Sequence, residues 1–293
     1  MDLPNAKQKI VVDGKIEPGR PPYVILTYNV PYFGPTDLSS MEKIFVHNAV
    51  VKVSNGSTTV TLTEICTKNI PDSLLSIIAS FTGVDTTTLK NFNYCIYTTF
   101  DPSIWGSEGL TYSLSIDSDG KTLSAATTIL SGIPLDSVWY KYEKVNVSGD
   151  SLGFIWAHLT DPPQQGNSYR WLTMRHRKDY SFVTPRASSF DDKFVNGQSF
   201  DFAYERGRVP NSKASDDYNE ERGYFKKGDT VTLKFCTIDR ASFDFFTRMD
   251  EVIYNSGNPF SSPASVPTNI RPAKEALGLW CGYGVSTYTV ICK

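Results

Sequence analysis

The 293-residue chain lacks most of the signatures that make a function legible from sequence. It has three histidines, His47, His158 and His176, in separate strand-like contexts, and neither H-E-x-x-H nor another close metal pair occurs. Each reads as a surface or packed histidine, and no metal is expected. Its five cysteines, Cys66, Cys95, Cys236, Cys281 and Cys292, include no C-x-x-C pair, which removes the usual spacing of zinc and thioredoxin-like sites. The G-x-S-x-G elbow, the Walker loop and the G-x-G-x-x-G fingerprint are absent, and with them the best-signed hydrolase, NTPase and dinucleotide readings. "CGYGVS" contains glycines at short spacing before a strand-like run, so it is not a phosphate cradle, and no cofactor is expected. No stretch approaches the roughly 18 consecutive apolar residues of a membrane span. The start, "MDLPNAKQKI", is polar and has no apolar signal-peptide core, as in a cytoplasmic protein or a mature domain without its leader. Net charge is only -2 at a pI of about 6.0, with scattered Lys and Arg, so nucleic acid is not an expected partner.

What is present is β-rich. Hydrophobic residues make up 40%, charged residues 20% and aromatics 13%, with 16 Tyr and 17 Phe, which suits strands better than helices. The pattern changes near residue 130 and predicts two domains, 1–130 and 131–293. "KQKIVVDGKI" and "YVILTYNVPYF" read as a first hairpin, and "AVVKVSNGSTTVTLTEI" as a second with a two-residue turn at Asn55-Gly56. Residues 71–92 break the strand pattern as a helical insertion, with Pro71 and Asp72 at its start, Gly83 as a stop and a second helix from Asp85. "GLTYSLSIDSDGKTLSAATTI" is a hairpin around Asp119-Gly120, and no glutamate completes "DSDG" as a calcium loop.

"SGIPLDSVWYKY" leads into the second domain, where "SLGFIWAHLT", "NSYRWLTMRHR", "QSFDFAYERGR" and "DTVTLKFCTID" are strand-like. One helix is predicted at about 240–255, with Asp239 as cap and Gly257 as stop, followed by an irregular loop over 255–272 and closing strands. The densest basic run, "RWLTMRHRK", places Arg170, Arg175, Arg177 and Lys178 on what reads as a solvated strand face. The predicted fold is mainly β: two antiparallel domains, the first an immunoglobulin-like or carboxypeptidase-regulatory-like sandwich, the second a β-sandwich or open barrel.

Buried free thiols are the plain reading of the cysteines, with Cys66 to Cys95 the first pairing to test. Asp191, Asp192, Asp216, Asp217, Glu220 and Glu221 are available to a hydrolase, but "SKASDDYNEERG" reads as a solvated loop, and no catalytic residue is assigned. "FDDKFVNGQSF" fails as a calcium loop because Lys193 and Val195 occupy ligand positions. It reads instead as a tight turn at Asn196-Gly197, flanked by Phe190, Phe194, Phe200 and Phe202, with Asp191 and Asp192 accepting backbone hydrogen bonds. The aromatics are the stronger lead. Trp105, Trp139, Trp156, Trp171 and Trp280 with the tyrosines can supply a platform for a sugar or a surface for a protein, or fill cores. The candidate ligand-binding residues are Trp156, Trp171, Tyr204 and Trp280.

In order along the chain, "IVVDGKIEPGRPPYVILTYNVPYF", "VHNAVVKVSNGSTTVTLTE", "GLTYSLSIDSDGKTLSAATTI", "IPLDSVWYKY", "LTDPPQQGNSYRW", "FDDKFVNGQSF", "KKGDTVTLKFCTIDRASFDFF" and "GNPFSSPASVPTNI" resemble the Bacteroidetes envelope family named domain of unknown function 4249. The resemblance covers about residues 8–292. It implies an outer-membrane lipoprotein of the cell envelope encoded beside TonB-dependent receptors, touching the membrane only through a lipid anchor that this chain lacks. It carries no catalytic residues to transfer. The implied function is a non-enzymatic accessory protein that binds a glycan or other nutrient or docks to a TonB-dependent receptor. The alternatives are a carbohydrate-active hydrolase with an unidentified carboxylate pair and a purely structural adaptor.

Overall fold

The computed structural model describes residues 8–30, 40, 42–82, 84–207, 220–255 and 265–293. The chain forms two compact units, Met1–Ile78 with Asp85–Leu130 and Ser265–Tyr283, and Ala79–Val84 with Ser131–Ala264 and Gly284–Lys293. Both are mainly β. Among the described residues no helix is long and apolar enough to cross a membrane.

In the first unit, β1 (Ile10–Ile16) and β2 (Tyr23–Tyr28) pair antiparallel as the sequence predicts. With β3 (Val50–Ser54), β4 (Thr59–Cys66), β5 (Cys95–Thr98), β6 (Thr111–Ser118) and β7 (Lys121–Thr128) they follow the order β1-β2-β5-β4-β3-β6-β7. β15 (Ala276–Ile291) pairs parallel with β1. Alternate residues from both ends of this order, Val12 and Val24 with Val53, Leu114 and Leu123, join one core, so the sheet curls over on itself.

Of the two expected hairpin turns, the one at Asp119-Gly120 forms as read and the one at Asn55-Gly56 does not. Asp119 and Gly120 form a two-residue turn between Ser118 and Lys121, both with positive φ (52° and 69°). At Asn55-Gly56 the strands stop at Ser54 and Thr59, and Asn55 Oδ1 accepts the N–H groups of Ser57 and Thr58 at 3.1 and 2.8 Å. The asparagine side chain closes a four-residue loop where a two-residue turn was expected. The helical insertion contains α1 (Leu75–Thr82) and α2 (Thr86–Asn91), with Asp85 capping α2 through the Thr88 N–H at 2.9 Å. Its expected stop, Gly83, is outside the described residues.

The second unit contains two sheets. One has the order β11 (Ser189–Asp191), β10 (Ser168–Arg175), β14 (Thr230–Ile238), then β15. The other is built on β9 (Ser151–Thr160), with β8 (Ser137–Val145) on one edge. β12 (Ser199–Tyr204) and β13 (Phe225–Lys226) follow one another along the opposite edge, because their registers on β9 do not overlap. Ile155, Ala157 and Leu159 of β9 and Phe202 and Tyr204 of β12 meet Tyr169, Trp171, Leu233 and Phe235 in one core. This is a β-sandwich. α3 (Arg240–Asn255) starts at Asp239, whose Oδ1 accepts the Ser242 N–H at 2.8 Å, and it packs on β10 and β11. Its expected stop, Gly257, lies with the rest of 256–264 outside the described residues, residues 265–272 of the expected loop are irregular, and the closing strands are the single β15.

Two further expectations change. The basic run is not one solvated strand face: Arg177 and Lys178 are exposed, but in the turn after β10, while Arg170 and Arg175 on the strand are buried, Arg175 pairing with Asp179 at 2.7 Å and Arg170 lying 3.4 Å from the Phe246 ring centre. Asn196-Gly197 does not close a hairpin, because β11 and β12 belong to different sheets. Only Gly197 takes positive φ there, and Phe194 is 82% exposed while Phe190, Phe200 and Phe202 pack together.

Candidate functional site

Strand alternation divides the four named aromatics among three environments. Trp171 points into the second unit's core against Tyr204, with ring centres 5.5 Å apart. Trp280 is fully buried in the first unit's core and donates its indole N–H to Tyr112 O at 2.8 Å. Gly14 leaves room for that ring, since a Cβ there would lie 2.6 Å from Trp280 Cε3. These three residues hold cores together. Trp156 alone among the four belongs to the outer face of the β8-β9-β12 sheet.

That face is fixed by register. Ile155, Ala157 and Leu159 take the core side, so Phe154, Trp156, His158 and Thr160 take the other. Trp139 stands directly opposite Trp156 on β8, and the two indoles lie nearly parallel, 22° apart, with centres separated by 6.4 Å. Lys141, two residues beyond Trp139, places Nζ 4.8 Å from the Trp156 ring centre. One row further, Phe154 packs on Tyr224 at 4.7 Å, and Lys144 Nζ lies 4.7 Å from the Tyr224 ring. On the other side, His158 Nδ1 lies 2.6 Å from Asp201 Oδ1, and the Thr160 and Ser199 hydroxyls are 2.9 Å apart. From Phe154 to Thr160 the stripe extends about 20 Å.

The face therefore runs from cation-covered rings, through a tryptophan pair, to hydroxyl and carboxylate groups. Its electrostatics lean positive at the aromatic end, where neither Lys141 nor Lys144 pairs with a carboxylate among the described residues. Trp156 Nε1 is shielded from solvent and has no acceptor among the described residues, a state it shares with Trp171 Nε1 in the core. Gly153 holds β8 and β9 close, since a Cβ there would lie 2.1 Å from Lys141 O. Trp139 was named only as one of five tryptophans able to supply a platform, and Lys141, His158 and Asp201 were not ligand-binding candidates; the i, i+2 spacing in "VWYK" and "FIWAH" carries the signal, but only the register joins the strands.

The carboxylates considered for catalysis are otherwise engaged. Asp191 pairs with Arg240 at 2.9 Å, and Asp192 accepts the N–H groups of Gly166 and Asn167. Glu221 and Asp150 share Lys226, and Glu220 accepts the Val147 N–H at 3.1 Å. Asp216 and Asp217 fall outside the described residues. Asp250 is raised above the ordinary carboxylate range by burial, against the pull of Arg170 and the Ser188 N–H. It belongs to α3, away from the aromatic stripe. The first unit also contains a metal-type cluster, His47, Glu64, Cys66 and Cys95, in which Cys66 and Cys95 form a disulfide; Cys236, Cys281 and Cys292 are buried thiols.

Compared with known proteins, residues 1–289 match the family model described as domain of unknown function (DUF4249). No curated protein matches the chain.

Proposed function

The chain belongs to the DUF4249 family, and we propose that it is a non-enzymatic cell-envelope accessory protein that binds an oligosaccharide on the outer face of its β8-β9-β12 sheet. The observation that carries this reading is the Trp139–Trp156 pair, two nearly parallel indoles on a solvent-facing sheet with polar rows beside them. Sugar rings combine an apolar C–H face with a rim of hydroxyls, and aromatic surface next to hydroxyl, imidazole and carboxylate groups matches both features. The stripe length of about 20 Å suits several linked sugars better than one. Lys141 and Lys144 favour a glycan carrying carboxylates, of the uronate type. Placement in the envelope as a lipid-anchored partner of a nutrient-uptake system rests on the family resemblance.

The test is a tryptophan-fluorescence titration of the chain with neutral and uronate-containing oligosaccharides of three to six sugars. A saturable change, larger for uronates and weakened by salt, supports the reading. No response to any of them counts against it.

A second reading, docking to a TonB-dependent receptor, draws on the edge of β8 that pairs with no strand among the described residues, where Tyr142, Val145 and, just beyond, Val147 are exposed. A strand added to that edge would leave the aromatic stripe uncovered, so substitutions at Trp139 and at Val147 separate the two readings.

A further inference from the structure

Within the first unit, four ligand-type side chains converge at one point. His47, Glu64, Cys66 and Cys95 each place one ligand atom within 4.8 Å of all the others. Glu64 and Cys66 are two residues apart on β4 and share a face, and Cys95 lies directly opposite Cys66 on β5. His47 comes from the segment before β3, and Tyr97 fixes that segment from both sides. The Tyr97 hydroxyl donates to Val46 O at 2.7 Å and accepts the Ala49 N–H at 3.1 Å. Glu64 is held equally well: Oε2 accepts the Asn48 N–H at 2.9 Å, while Oε1 lies 2.5 Å from His47 Nδ1 and 3.5 Å from Cys66 Sγ. The carboxylate is thus already aimed between the imidazole and the sulfur.

We propose that reduction of Cys66–Cys95 converts this cluster into a site for one zinc-class divalent cation, with Cys66, Cys95, His47 and Glu64 as ligands, and that the disulfide form has no such site. Two thiolates, one imidazole and one carboxylate are a tetrahedral zinc donor set. Zinc–sulfur bonds of about 2.3 Å place two sulfurs about 3.8 Å apart in a tetrahedron. Side-chain rotation supplies that separation while β4 and β5 stay paired. The chemistry balances with a dithiol as reductant: the Cys66–Cys95 bond breaks, each sulfur takes one electron and one proton, and the dithiol leaves as its own disulfide. The cation then binds both sulfurs as thiolates and releases their two protons. The same residues serve as a covalent staple in oxidising surroundings and as a metal clip in reducing ones.

For the test, the full chain is reduced with dithiothreitol, desalted without oxygen and titrated with Co(II), whose thiolate complexes absorb by charge transfer. The oxidised chain and the reduced variants C66S/C95S, H47A and E64Q are titrated alongside. Cys236, Cys281 and Cys292 remain in C66S/C95S and report any signal of their own. The expected result is one equivalent of Co(II) with a charge-transfer band in the reduced chain, and none in the oxidised chain or C66S/C95S. Affinity in reduced H47A and E64Q should be weaker by about tenfold or more. Equal uptake by oxidised and reduced chains overturns the proposal, as does absence of the band on reduction or parental affinity in both H47A and E64Q. Loss of far-ultraviolet circular dichroism on reduction also overturns it, because the site needs the β4–β5 pairing, and H47A and E64Q decide the matter if C66S/C95S fails to fold.

Discussion

Asp192 and Asn167 are tied in both directions: Asp192 Oδ2 accepts the Asn167 N–H at 2.8 Å, and the Asp192 N–H donates to Asn167 O at 3.1 Å. The same oxygen accepts the Gly166 N–H at 2.7 Å. A buried aspartate thereby anchors the loop between β9 and β10 to the β11 end. Removing it orphans two backbone donors, so Asp192→Ala is expected to cost about 2–3 kcal/mol in chemical denaturation. A cost below about 0.5 kcal/mol would show that water replaces the carboxylate at no penalty.

At Gly153 the β8 backbone leaves no room for a Cβ. Gly153→Ala would press a methyl group against Lys141 O and the Tyr140 ring, and an expected loss of about 1–3 kcal/mol follows from overpacking. Because Lys141 and Trp139 move with β8, near-ultraviolet circular dichroism of the tryptophans should change as well. Unchanged stability and spectrum would contradict the register described for β8.

Asp250 sets a pH dependence whose sign is fixed by burial. Its folded-state pKa lies above its unfolded value, so its contribution to stability is fully present below the unfolded value and is lost as pH rises through the folded one. Asp250→Asn is therefore expected to be at least as stable as the parent at neutral pH, with an advantage that shrinks on acidification into the carboxylate range. Urea denaturation at several pH values measures this. A variant less stable at neutral pH would mean that attraction to Arg170 outweighs burial.

The thiols of Cys236, Cys281 and Cys292 are enclosed, and burial pushes the Cys292 thiol up to about 12. Native chain treated with iodoacetamide at neutral pH should show no alkylation at Cys236, Cys281 or Cys292 by mass spectrometry, and full alkylation after unfolding. Rapid native labelling of any of them would contradict its burial.

Strand alternation and turn residues made the β architecture, the helical insertion and the α3 cap readable in advance. The platform was less legible. In "GFIWAHLT" both faces of β9 are apolar up to Ala157, so alternation alone does not say whether Trp156 faces in or out; only His158 and Thr160 mark the outer side. Trp171 shows the converse, since its neighbours Arg170 and Thr173 look solvent-bound but are covered, one by Phe246 of α3 and the other by the sandwich core. Charge pattern misled there because arginine stems and a planar guanidinium pack well against aromatic rings. Trp280 was unreadable for a different reason: its place depends on Gly14, far away in sequence, lacking a Cβ.

Calorimetric titration of the parent, W139A and W156A with a uronate oligosaccharide tests most directly whether the Trp139–Trp156 face binds an oligosaccharide. Binding in the parent should weaken by on the order of tenfold in each variant, while Trp105→Ala, which lies outside this face, leaves it unchanged. Equal affinity in all four proteins, or no binding in the folded parent, would contradict the account.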